Sequence, residues 1–230
     1  MFTGFTDATV DFLWGIRFNN ERGWFLEHKD DYINTFLTPT RELGEQVYDA
    51  VHALLPDEPL MLKVSRIYRD ARRLFGRGPY KDHLWWCIRT GDKDWTGRPT
   101  FWFELGPDYY SFGLGFWSPA AALMETYRKQ IDAHPEELSK LVRQFNRQSV
   151  FTLDGPEYAR SKGQTSDLLR SWYQKKSLSL RWEGPLDERI FTSALAEDII
   201  AGFKTLIPFY HYFNKLVALT PRQERRGEDA

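Results

Sequence analysis

Seven cationic side chains, Lys63, Arg66, Arg69, Arg72, Arg73, Arg77 and Lys81, surround the single carboxylate of Asp70 in the run KVSRIYRDARRLFGRGPYK. The whole chain carries a formal net charge of −1, so this positive field is local. Guanidinium forks hold carboxylates and phosphates through paired N–H donors, and their density here points to an anionic small molecule as partner. The expected ligand-binding residues are Arg66, Arg69, Asp70, Arg72, Tyr80 and Lys81, with Asp70 orienting Arg66 or Arg69. Gly76 and Gly78 lack a Cβ, which lets the backbone of the turn approach a ligand and its amides cradle an anion. The turn has the spacing of neither a Walker loop nor a dinucleotide fingerprint, so no cofactor is assigned.

Two other readings fit the same residues. The arginines could form a structural ion-pair network in a non-enzymatic scaffold, since such networks also collect arginine. Alternatively, the cations could track phosphates while Tyr68, Trp85 or Trp86 stack on bases. A nucleic-acid partner is not the expectation, because a sequence pI near 6.5 lacks the usual basic excess.

Acid–base chemistry would need His83, Glu104 or Asp70. His83 follows the cationic turn at the start of a strand and reads as a structural imidazole or a proton carrier. Glu104 shares a strand face with Trp102 and is expected to be the counter-ion of an arginine. Ser111, Gly113 and Gly115 leave a face almost bare of side chains, suited to a packed helix or to a ligand, and the helix is the preferred reading. Cys87 reads as a buried, inert thiol. The remaining histidines are scattered without metal-ligand spacing, and no metal is predicted. No nucleophile elbow appears.

These residues must be positioned by elements that the periodicity predicts. Helical spacing runs from Ala8 to Ile16 and again from about Arg22 to Leu54, with Pro39 interrupting or restarting the second run. Residues 60–69, 83–90, 100–105 and 109–117 are rich in aromatic and β-branched side chains and read as strands. Gly106-Pro107-Asp108 has the chemistry to close a hairpin between the last two. Helices return after Ser118-Pro119, at Pro135 and at Thr165 or Ser166, and a long one starts at Ser193. Short strands are expected near 150–153 and 177–182. The expected class is α+β, with a largely antiparallel central sheet over about residues 60–117, flanked by N-terminal and C-terminal helices. Residues 1–219 read as one domain and 220–230 as a flexible polar tail.

At 42% hydrophobic and 27% charged residues, the composition excludes a disordered chain. Aromatic residues reach 16%, including 9 Trp, and indoles line pockets as well as cores. A lone cysteine, no basic-then-apolar leader and no apolar window of about eighteen residues predict a soluble, cytoplasmic protein without a membrane partner.

The central motif resembles that of the bacterial family called domain of unknown function 2461, Arg-x-x-Arg-Asp-x-Arg-Phe followed by an acid or Asn with Lys and then Pro-Tyr-Lys. Arg66, Arg69, Asp70, Arg72, Pro79, Tyr80 and Lys81 match it. Arg73 stands where the family has Phe, Gly76 where it has the acid or Asn, and Arg77 where it has Lys. The run Asn19-Asn20-x-Arg22-x-Trp24-Phe25 and the run Gly113-x-Gly115-x-Trp117 are also similar. The resemblance implies family membership over nearly the whole domain, and it implies no activity.

Overall fold

Strict alternation of large apolar and mixed side chains builds a six-stranded sheet: β1 (Leu60–Val64), β2 (Leu84–Thr90), β3 (Thr100–Leu105), β4 (Tyr110–Gly115), β5 (Thr152–Asp154) and β6 (Ser179–Gly184). The order is β1-β2-β3-β4-β6-β5, and every neighbouring pair is antiparallel. The expected α+β class is observed, and the sheet gains two strands from beyond residue 117. The computed structural model describes residues 1–221, apart from the Arg73 side chain. Most of the expected tail, residues 222–230, lies outside the described residues.

Eight helices accompany the sheet among the described residues: α1 (Asp7–Phe18), α2 (Arg22–Glu27), α3 (Lys29–Asp31), α4 (Thr38–Leu54), α5 (Ala121–Ala133), α6 (Pro135–Phe145), α7 (Arg170–Tyr173) and α8 (Ala194–Leu219). A π-helical segment, Tyr32–Leu37, joins α3 to α4. Pro39 explains the break in register: it has no N–H to give the Thr35 carbonyl, and the Thr9 hydroxyl donates to that carbonyl instead at 2.6 Å. Helix α5 opens at Ala121 rather than at the expected Pro119. Ser118 is held outside the helix, its N–H donating to Thr96 O at 2.8 Å.

One face of the sheet is the core. Trp86, Ile88, Phe101, Phe103, Phe112, Leu114 and Leu180 are buried there, against helices α4 and α8. Phe203 of α8 lies 4.9 Å from the Phe101 ring and 6.1 Å from Phe112. Its neighbour Gly202 allows this approach, because a Cβ there would stand 2.9 Å from the Phe151 ring. The same register turns Trp85, Cys87, Trp102, Glu104, Ser111, Gly113, Gly115, Ser179 and Arg181 to the opposite face. No helix among the described residues is long and apolar enough to cross a membrane.

Candidate ligand-binding site

The cationic segment does not continue β1 to Arg69. The strand stops at Val64: the Ser65 N–H still donates to Trp85 O at 2.8 Å, but the Trp85 N–H returns to the Ser65 hydroxyl at 3.1 Å rather than to its carbonyl. Residues 65–83 then form an irregular ribbon whose arms meet at a bridge between Tyr68 and Tyr80. Asn20 clamps it: its side chain donates to Tyr80 O and accepts from Tyr80 N, both at 2.9 Å. Tyr80 is buried and stacks on Phe25 at 4.2 Å. Gly78 serves this clamp, since a Cβ there would collide with the Asn20 amide at 2.2 Å. The close approach that its glycine permits is to a side chain of the same protein.

Each predicted ligand-binding residue now has a place. Arg69 donates from Nε to Tyr80 O at 2.7 Å and lies 3.5 Å from Asp82, not against Asp70. Asp70 instead accepts from Arg72 Nε at 3.0 Å and Nη2 at 2.8 Å. It also caps the short 3-10 turn Ala71–Arg73 through the Arg72 amide. The Arg72 side chain is 87% exposed, and Arg66 is exposed as well. Arg66, Arg69, Asp70, Arg72, Tyr80 and Lys81 therefore do not meet in one hollow.

The acid that organises this region is Asp82. It accepts from Arg17 Nε at 2.8 Å and faces His83 Nδ1 at 3.2 Å. The hydrogen bond from His83, joined by that from Arg17, holds its carboxyl well below the usual carboxylate range against the opposing effect of burial. Arg17 reaches onward to Asp108 at 3.2 Å, tying α1 to the β3–β4 turn. His83 thus stands in an ion-pair cluster, beside the carboxylate that orients it.

A cavity of about 280 Å³ opens on the sheet face turned away from the helices. Trp85, Trp95, Trp102 and Trp117 wall it, and Cys87, Glu104, Ser111, Ser179 and Arg181 contribute to its lining. The bare face expected to receive a helix is this floor: Ser111 and Gly115 line the cavity. Three indoles carry a cation of their own. Lys81 Nζ lies 5.6 Å from the Trp85 centroid, the Arg89 guanidinium 4.7 Å from Trp95, and that of Arg181 5.9 Å from Trp102. Trp86, one of the bases' stacking partners in the nucleic-acid reading, is fully buried in the core on the other face.

Glu104 takes a different partner from the expected arginine: the Tyr109 hydroxyl donates to its carboxylate. Burial, reinforced by this carboxylate, raises the Tyr109 phenol well above its ordinary range, so it stays a proton donor. Arg181 is paired with Asp154 at 3.5 Å and with Glu183, while its buried Nε–H has no partner among the described residues. Cavity-lining charge is thus two carboxylates, Glu104 and Asp154, against one guanidinium. Cys87 is buried, and burial pushes its thiol up to about 11. Its thiolate fraction at pH 8 is then about 200-fold below that of a free cysteine. Thiol-reagent titration of the folded protein at pH 8 is expected to be slower by at least about that factor than after denaturation.

Among the described residues, no group of three or more His, Cys, Asp or Glu side chains is arranged to hold a metal ion. The family model described as "Conserved hypothetical protein (DUF2461)" matches residues 8–212. The chain belongs to this family. No curated protein matches it. In this DUF2461 chain the matched region spans the Asn20 clamp, the cationic ribbon and the whole sheet.

Asn20, Asp82, Tyr109 and Arg181 are the residues that sequence reasoning passed over. Asn20 entered only as a member of the run Asn19-Asn20-x-Arg22-x-Trp24-Phe25, with no partner assigned to it. The signal for Arg181 lay in the alternation of Ser179, Arg181 and Glu183 with Leu178, Leu180 and Trp182, which marks a polar sheet face opposite a core face.

Proposed function

We propose that the protein binds a small, polar, ring-bearing molecule in the tryptophan-walled cavity on the open face of its sheet. The observation that carries this is the cavity itself: four indoles, three of them held by cations, around a floor of small residues. Indole faces favour rings through stacking, and preset rotamers lower the entropy cost of binding. A phosphate or carboxylate ligand, which the arginine-rich segment suggested, is a poorer match, because Glu104 and Asp154 outnumber Arg181 in the lining.

A thermal-shift screen of sugars, nucleosides, aromatic metabolites and sugar phosphates tests the proposal, since a ligand of the native state raises the melting temperature. Trp102→Ala is expected to weaken the resulting hit by about 10- to 100-fold, the value of one stacked ring. Isothermal titration of the variant reads this directly. A hit whose affinity survives both Trp102→Ala and Trp85→Ala but falls with Arg66→Gln or Arg72→Gln would place binding on the ribbon and overturn the cavity reading.

A further inference from the structure

We infer that the cavity takes a ring-bearing cation, its ammonium-type nitrogen set against the Glu104 carboxylate and its ring among the tryptophans. This rests on the cavity reading and adds the sign of the ligand's charge. Strand register places the carboxylate. Glu104 lies directly across from Trp85 on β2 and two positions from Trp102 on β3, so all three side chains leave the same face of the sheet. On β4 its partner is the small Ser111, and Trp102 stands opposite Gly113. A carboxylate between two indoles, over small residues, offers an ammonium both kinds of partner at once.

The pairing of the lining charges decides the sign. Arg181 is matched by Asp154 and Glu183. Glu104 has no cation within ion-pair distance among the described residues, and its hydrogen bond comes from the neutral Tyr109 hydroxyl. That donor fills one of a carboxylate's roughly four acceptor sites. Lys81, whose field reaches Glu104, is set over the Trp85 ring beyond contact with it. An anionic ligand would add to this unmatched charge, whereas a cation would neutralise it. The indoles favour the same sign, because the ring face is the negative side of their quadrupole. Lys81, Arg89 and Arg181 already lie against Trp85, Trp95 and Trp102. Trp117 has no such cation among the described residues, is 69% exposed, and lies 6.2 Å from Trp85 and 6.5 Å from Trp95 between ring centroids. A volume of about 280 Å³ is at the small end for ligand pockets and suits one ring with a short arm.

Isothermal titration of the full chain with matched ring compounds tests this: 2-phenylethylamine, 2-phenylethanol and phenylacetate, then tyramine with its alcohol, tyrosol. The amines are expected to bind at least about 10-fold tighter than the alcohols, and the acid most weakly. Glu104→Gln keeps the shape and an acceptor for the Tyr109 hydroxyl while removing the charge. It is expected to bring amine and alcohol within about 2-fold of each other, with the alcohol's affinity unchanged as the control for folding. Lys81→Met removes a competing cation and is expected to strengthen binding of the amines alone. Alcohol or acid bound as tightly as amine, or an amine preference that survives Glu104→Gln, overturns the inference. If that binding still falls in Trp102→Ala, the cavity reading stands without it. Amine binding that Trp102→Ala and Trp85→Ala both leave intact removes the cavity reading as well. No binding of any of these compounds at millimolar concentration overturns the inference and leaves the cavity to the neutral rings of the wider screen.

Discussion

Asp82→Ala is expected to lower the unfolding free energy by about 2–3 kcal/mol, as read by urea denaturation at pH 7. The carboxylate is only 21% exposed and receives Arg17, Arg69 and His83. Its removal leaves Arg69, whose side chain is 17% exposed, with the Tyr80 carbonyl alone of these two partners. Arg17 retains Asp108 in solvent, which recovers little. The effect also has a pH signature. Because the folded-state carboxyl titrates below its unfolded value, the stabilisation is fully present above the unfolded value, about pH 4, and is lost as the pH falls through the folded value. The stability gap between wild type and variant should therefore be constant from pH 7 to about pH 5 and narrow below about pH 4. A gap that widened on acidification would show that the carboxylate is not the partner that holds these cations.

Phe203→Ala is expected to cost more, about 3–5 kcal/mol. The ring is fully buried where α8 crosses the sheet, between Trp86, Phe101 and Phe112 of three adjacent strands. Gly202 fixes the backbone close to Phe112 and Phe151, so α8 has little freedom to move inward over the void. The strands that carry Phe101 and Phe112 on one face carry Trp102 and Ser111 on the other. Ligand binding by the surviving folded fraction should then be unchanged in affinity, whereas Trp102→Ala should weaken binding with a much smaller loss of stability. The two variants together separate core from site.

The depth to which the sequence was legible differs between these two regions. The alternation Leu84, Trp86, Ile88 against Trp85, Cys87, Arg89 identifies a strand and its two faces, because the side-chain period of an extended chain is set by covalent geometry. The same holds for the hairpin at Gly106–Asp108, where Gly106 N bonds Tyr109 O at 2.9 Å. Long-range partners are a different matter. Asn20 meets Tyr80 across sixty positions, and Arg17 meets Asp108 across ninety-one. No local rule selects them, since any of several acids could neutralise Arg17 and any buried amide could be met by an asparagine.

The arginine-rich run illustrates the same limit. Its charge density was plain, but charge density does not specify direction. The strand ended at Val64 rather than at the expected Arg69, and Arg66 is exposed in the ribbon beyond it. Asp70 turned to its near neighbour Arg72, while Arg69 was drawn to a carbonyl that only the folded ribbon presents. Of the six residues expected to bind a ligand, Lys81 is the one that comes to rest against a cavity wall.

Composition, periodicity and turn chemistry by themselves determined the α+β class and the largely antiparallel character of the central sheet, and the motif around Arg66 to Lys81 pointed to the family to which the chain belongs. Each depends on interactions between residues near in sequence or on a motif read directly. Only the tertiary structure decided that four tryptophans from two strands and two connecting segments would face one another over a bare floor. That meeting depends on which side of the sheet the helices cover, and the cost of leaving Trp86, Phe101 and Phe112 in water settles that side for the whole fold.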